Sequence, residues 1–509
     1  MTTPAIVPAE PNRRALILPG GGMRVAYQAG AVQALHEAGL RFSYADGTSG
    51  GTMNLAALLS GIAPVQLGAR WRSLDPSGFV SLQSLRAYRR FSTLTALGDF
   101  DGLRQRVFPH LGIDIERINA ATGIDAAFNV CRFDDKTVVP VSHQVLELPL
   151  LLAGVSLPLL TPPVDFDGCT WTDAVWIKDS NIVEAVKQGA NELWIVWCIG
   201  NTPRYLPGFL NQYVHMIEMS AVGALNAELD TIADLNAAIA RGERPYGHDR
   251  PIAVHIVKPK YPIPLDPDYL AGKVTGGALV DQGFADASSY LRDRRDDGVP
   301  ATPMATRMET PGAGLSFRET MRGHIAFGET DPKSAVRSHA AIPIALNATI
   351  NIRDIDAFVR EPEHRGEMAA HLYCPRLGGI LPATRTNFQL FSPTGDAART
   401  EMVYETGFWR EGRHYFFSGR KSVVRGTPLR LWRDTTTLFV RVHDGEDRGG
   451  PVVAAGVLRL GVFDLLALLA TLHSRDAAGV RARFATVTGF AAFFVAQLWA
   501  TYGFGRRRG

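Results

Sequence analysis

Two glycine-rich turns, one helix apart, constrain this chain more than anything else in it. The first is L-P-G-G-G-M-R, ending at Arg24, and follows an apolar strand candidate at 15–18. The second is D-G-T-S-G-G-T, opening at Asp46, where a second strand candidate ends. Between them Val25, Ala29, Val32 and Leu35 recur on one helical face, and Gly39 stands at the C-cap position. Strand, loop, helix, strand, turn and helix in that order imply adjacent parallel strands with a right-handed crossover. Both turns then lie at the carboxyl edge of one sheet, where open α/β folds bind ligands. The expected fold is therefore an open, mostly parallel sheet with helices on both faces.

The second turn is a G-x-S-x-G pattern between a strand and a helix, the form of a nucleophile elbow. Gly47 and Gly51 flank a serine, Ser49, whose oxygen would stand clear of the sheet near a helix N-terminus. The first turn aims unpaired backbone N–H groups at one point, which makes it an anion site. A P-loop is excluded because no G-K-S/T follows. A dinucleotide fingerprint fails because Val25 occupies the place of its third glycine. An oxyanion hole remains beside a purely structural turn, with Gly20, Gly21, Gly22, Met23 and Arg24 as its loop: N–H donors from Gly21, Gly22 and Met23, and Arg24 to fix the loop or add positive potential. A serine nucleophile also needs a base. Asp173 closes a short strand candidate after Trp171, and Asp179 follows closely. His143 reads as an ordinary strand histidine, so the base is expected to be an aspartate in a partly desolvated site.

Together these motifs resemble the patatin-like phospholipases, serine acyl hydrolases with a Ser–Asp dyad. The matches are G-G-G-M-R at Gly20, G-T-S-G-G at Gly47, S-L-P-L-L-T-P-P-V from Ser156 and T-D-A-V from Thr172. The family places its catalytic aspartate sixteen residues before a G-A-D/N landmark; counted back from Gly189, that position is Asp173. The resemblance implies Ser49 as nucleophile, Asp173 as base, and a phospholipid or lysophospholipid substrate, with no cofactor and no metal. Two positions depart from the pattern: Val25 and Ala174 stand where the family has glycine. Alternatives to hydrolysis are acyl transfer to an acceptor other than water, and a non-catalytic lipid-binding or scaffold role.

The acyl hydrolase domain is expected at 13–293, after a flexible lead at 1–12 and before a charged, proline-bearing linker at 294–312. From 313 to 475 short strand-like segments imply a mostly antiparallel β domain, weakly similar to an accessory module of cholesterol-oxidase-like proteins. The 476–509 tail is an apolar helix followed by R-R-R, suited to packing on protein, lying at a membrane surface or, by its length, just spanning a bilayer. A formal net charge of +3 over 509 residues gives no reason to expect nucleic acid as a partner. Four scattered cysteines and a lead without a basic-then-apolar pattern suit a cytoplasmic protein, with membrane association an option only through the apolar tail. The turn bearing His443, Asp444, Glu446 and Asp447 reads as a solvated hairpin tip rather than a metal site.

Overall fold

The computed structural model describes residues 13–83, 88–89, 94–200, 202–396, 398–426, 428–477 and 479–502. The expected lead at 1–12 and the arginines Arg506, Arg507 and Arg508 lie outside them. The chain divides into two compact units, Met1–Thr310 and Pro311–Gly509. Most of the stretch expected as a linker belongs to the first: Val299 N–H bonds the Val254 carbonyl at 2.7 Å, and Thr306 is buried.

The first unit runs β1 (Arg14–Leu18), α1 (Ala26–Glu37), β2 (Tyr44–Thr48), α2 (Gly50–Leu59), α3 (Pro64–Ser73), β3 (Asp125–Arg132) and β4 (Thr137–Ser142). It continues with α4 (Leu148–Ala153), β5 (Val164–Phe166), β6 (Cys169–Asp173), α5 (Ile182–Lys187), β7 (Glu192–Val196) and α6 (Phe209–Ala240). It closes with β8 (Ala253–Val257), α7 (Asp266–Leu270) and α8 (Gly276–Asp293). The sheet order is β5-β6-β3-β2-β1-β7-β8, with β4 also on β3. Strands β3, β2, β1, β7 and β8 are mutually parallel, and β4, β5 and β6 bring the antiparallel pairings.

Alternation along β1 shows why both faces carry helices. Leu16 and Leu18 face a core that also holds Tyr27, Leu55, Trp71 and Phe284, while Ala15 and Ile17 face another with Val183, Ile217 and Leu229. Side chains of a strand point alternately to opposite faces, so a strand apolar throughout must be covered twice.

Three local expectations shift. Strand β2 runs two residues past Asp46, to Thr48, because Gly47 pairs with Leu18 and Thr48 with Asn129. The apolar, proline-bounded run at 148–163, which by its sequence suits a buried helix, is helical only over Leu148–Ala153. On α6 the residues Met216, Met219, Val222 and Leu225, which the sequence spaces as an apolar helical stripe, are out of phase with the core: Met216 and Met219 are exposed, and Tyr213, Ile217, Ala221, Leu225 and Leu229 form the buried face.

The second unit is a closed antiparallel barrel. Its strands are β9 (Gly314–Phe327), β10 (Ile342–Ile352), β11 (Arg365–Cys374), β12 (Gly379–Pro382), β13 (Arg385–Pro393), β14 (Arg399–Arg410), β15 (Arg413–Val424), β16 (Thr437–Asp444), β17 (Val452–Arg459) and β18 (His473–Arg475). The path β10-β11-β13-β14-β15-β16-β17-β9 returns on itself through the β9–β10 pairing. The interior is filled by side chains such as Leu346, Phe388, Phe417 and Leu438, around a buried Lys421–Glu319 ion pair of 2.7 Å that Tyr404 also joins. Closure gives every strand of that path a neighbour on both sides and leaves only the short β12 and β18 as edges among the described residues.

Candidate active site

Ser49 is the single residue between β2 and α2, with φ 51° and ψ −130°. A non-glycine residue in that region is strained and must be held there by its surroundings. The hold is close backbone contact on both sides. A Cβ on Gly51 would sit 1.9 Å from the Leu18 carbonyl oxygen, and one on Gly50 would sit 2.6 Å from that of Gly22. Gly50, which the motif alone did not single out, is thus as constrained as Gly51. At Gly47 an added Cβ would meet Leu55 at 3.0 Å, a tighter fit than usual but one against a side chain.

Asp173 reaches the same spot through sheet register. Strand β2 runs parallel to β3 and ends with Thr48 beside Asn129; β6 runs antiparallel to β3 and ends with Asp173 beside Val130. Since β4 pairs with β3 along 127–132, β2 and β6 share the opposite edge and meet head-on. Ser49 and Asp173 are the residues at that meeting point. Asp173 is fully buried, and its Oδ1 accepts the Val175 N–H at 2.9 Å. Burial raises its proton affinity well above the usual carboxylate range; the Ser49 hydroxyl and the Val175 N–H oppose the rise, and Asp179 adds to it. Its Oδ2 makes no hydrogen bond of good geometry among the described residues. The Ser49 hydroxyl thus lies close to the Asp173 carboxyl without a fully formed hydrogen bond between them.

Asp179 has a different engagement. Its Oδ1 accepts the Gly20 N–H at 2.7 Å, and burial pushes the carboxyl up to about 7, with Gly20 and Arg24 holding it down. Behind the elbow, both oxygens of buried Asp46 accept from Asn129 Nδ2 at 2.8 Å; Asp46 too is pushed up to about 7 by burial.

The glycine loop divides its amides. Gly20 N–H goes to Asp179, Met23 N–H to Asp266 Oδ1 at 2.8 Å, and Arg24 N–H to the Gly21 carbonyl at 3.0 Å. Gly21 and Gly22 N–H make no hydrogen bond among the described residues. Both residues have positive φ, +157° and +56°, and at +56° a side chain is strained. Buried Arg24 anchors the loop: its Nε donates to the Gly21 carbonyl at 3.2 Å and its Nη1 to Glu218 Oε1 at 3.0 Å. Asp266 and Glu218 were not foreseen, and nothing local in sequence marks residues 243 and 194 positions from their partners.

The two departures from the family pattern cause no strain. Val25 has φ −65°, open to any residue, and is fully buried. Ala174 opens a short helical turn and is absent from the positive-φ residues.

Ser49, Gly21 and Gly22 open onto a cavity of about 310 Å³. Its walls are mostly apolar, including Met53, Phe79, Leu103, Leu157, Val214 and Leu270, with Arg24, Asp99 and Asp266 also lining it. No histidine is among its lining residues. His143 is buried elsewhere, bonded to Ala126 N–H and the Ala121 carbonyl. The described residues hold no group of three or more His, Cys, Asp or Glu able to bind a metal ion.

Residues 16–186 match the family model described as Patatin-like phospholipase. The first unit carries a patatin-like phospholipase domain. The match spans β1 to α5 and so takes in both glycine turns and Asp173. A lipid acyl hydrolase family is thereby indicated. Among solved structures, VipD from Legionella pneumophila is similar at 12% identity over 55% of this chain and 67% of that one. Its TM-score of 0.30 is too low to bear on fold or function. No curated protein matches the chain. The match to the patatin-like phospholipase model stops short of the barrel, whose expected likeness to a cholesterol-oxidase accessory module stays an expectation.

Proposed function

We propose that the protein hydrolyses fatty-acyl esters of lipids, phospholipid or lysophospholipid, through Ser49 and Asp173. The observation carrying this reading is the convergence of Ser49, a desolvated carboxyl and two uncommitted amides at the mouth of an apolar cavity. As Ser49 Oγ attacks the ester carbonyl, Asp173 takes its proton, and the oxyanion accepts from Gly21 and Gly22 N–H. Collapse breaks the ester bond, and the leaving alcohol takes the proton from Asp173. Water then gives a proton to Asp173 while its oxygen attacks the acyl-enzyme. Release of the fatty acid returns that proton to Ser49. The cavity takes the acyl chain, since its walls are mostly hydrocarbon.

The test is labelling with an alkyl fluorophosphonate followed by peptide mapping, beside fatty-acid release from phosphatidylcholine and lysophosphatidylcholine. Label on Ser49, lost in Ser49→Ala, is expected together with free fatty acid. A folded wild-type protein that neither labels nor releases fatty acid refutes the proposal.

A further inference from the structure

The barrel unit has one end unlike the other. The starts of β9, β11, β14 and β16 and the ends of β10, β13, β15 and β17 share one rim, by their pairing registers. Four helices gather there: α9 (Ile355–Arg360), α10 (Leu431–Thr436), α11 (Val462–Thr471) and α12 (Gly479–Tyr502). Helix α12 is held on the rim by its inner face. Phe490 packs on Phe317 and Phe358, Phe493 on His364, and the Tyr502 hydroxyl donates to buried Asp434 at 3.0 Å. Helix α11 is tied to β9: Thr471 Oγ1 accepts the Arg318 N–H at 2.9 Å, and Asp464 pairs with Arg322.

Their outer faces are hydrocarbon. Phe463 is 86% exposed, Phe484 72% and Trp499 69%, with Leu466 and Val495 beyond half. Of the fifteen exposed large apolar side chains among this unit's described residues, eleven lie at this rim or on its helices. Soluble monomers rarely leave such a contiguous face to water. Helices α10, with its N-cap Arg430, and α12 bring positive charge: Arg430, Arg433, Arg481 and Arg483 are exposed, the first two pairing with buried Asp434, while Asp464 of α11 pairs with Arg322 and exposed Asp356 of α9 lies on the same helix as exposed Arg360. From residue 477 onward the sequence has five arginines and no acidic residue.

We propose that this helical rim docks on an anionic lipid surface, with α11 and α12 lying in the headgroup layer. Exposed aromatic and aliphatic side chains enter the acyl boundary, and the arginines meet lipid phosphates. Helix α12 has the length to cross a bilayer, at 24 residues, but its contacts from Phe490 to Tyr502 fix it along the barrel end. It therefore lies on the membrane rather than through it. This inference is independent of the acyl hydrolase reading, because its readout is binding.

The experiment is co-sedimentation of the full chain with phosphatidylcholine vesicles, with and without phosphatidylglycerol. Wild type should pellet with the anionic vesicles and be released by high salt or alkaline carbonate. The triple variant Phe463→Ser, Phe484→Ser, Trp499→Ser alters exposed positions only and should keep the wild-type melt, while its vesicle affinity falls at least about tenfold. Arg481→Glu with Arg483→Glu should remove the preference for anionic vesicles. Vesicle binding unchanged in the triple variant overturns the proposal, as does wild type that stays in the supernatant. So does resistance to carbonate, which marks a spanning helix. A dimer that the triple variant splits without changing vesicle binding would instead make the rim a contact between copies.

Discussion

Asp173→Asn separates catalysis from folding at one position. Asp173 Oδ1 accepts the Val175 N–H at 2.9 Å, a bond the amide oxygen of asparagine inherits. The amide NH2 then replaces the second carboxyl oxygen, so the variant keeps the local fold and loses the proposed base. A positioned general base is worth about 10²–10⁴ in rate, or about 3–5 kcal/mol of barrier. Turnover of a p-nitrophenyl ester and of lysophosphatidylcholine should fall by at least the lower figure. Stability should move the other way. Burial has raised the proton affinity of Asp173 well above the usual range, so its charged form works against folding at neutral pH. Asparagine carries no charge, and the Tm near pH 8 should equal or exceed that of wild type. The wild-type kcat/KM should also lose activity on the acid side well above the pH at which an ordinary aspartate titrates, because the base must be ionised. Asp179→Asn is the control, since its amide oxygen can still accept the Gly20 N–H that Asp179 accepts at 2.7 Å. Full turnover in Asp173→Asn, with a loss of about a hundredfold or more in Asp179→Asn, would show the roles to be reversed.

Gly22→Ala puts a Cβ 2.5 Å from Asp266 Oδ1 at φ +56°; steady-state kinetics should show kcat falling at least about tenfold, with KM little changed. Val25→Gly, which restores the family residue, removes a buried side chain where φ is already −65°. It should lower stability by about 2–4 kcal/mol in denaturant melts and bring no gain in turnover. Asp46 and Asp179, both pushed up to about 7 by burial, bind more protons folded than unfolded between the ordinary aspartate value and that point. Their contribution to stability is therefore full at low pH and lost as pH rises through about 7, at up to about 1.4 kcal/mol per pH unit for each. Hydrogen exchange of β1 and β2 peptides should show weakening protection over that range, and a rise in protection would contradict the burial argument.

The serine elbow and the glycine loop were legible because their chemistry is local. Each is a contiguous run whose backbone demands glycine, and the apolar periods around it give strand and helix. Asp173 stood beside Asp179 as an acid at a strand end, and only the family spacing to Gly189 separated the two. Periodicity succeeded along β1 and α1 but misphased α6, where Met216 and Met219 are as apolar as the residues that face inward. In the second unit the strand-like texture from 313 to 475 was legible, but the pairing of β9 with both β10 and β17 was not.

The sequence by itself determined the order of elements, the strained serine between strand and helix, and the long uncharged run that became α12. Tertiary structure alone decided which loop amides are free, because the groups that occupy the others, Asp179 and Asp266, come from distant segments. It also decided that β2 and β6 meet head-on along β3, bringing Ser49 to Asp173, and that α12 lies across a barrel rim. Turns follow from backbone sterics within a few residues. Pairing partners follow from register and burial summed over the whole sheet, which no single window of the chain contains.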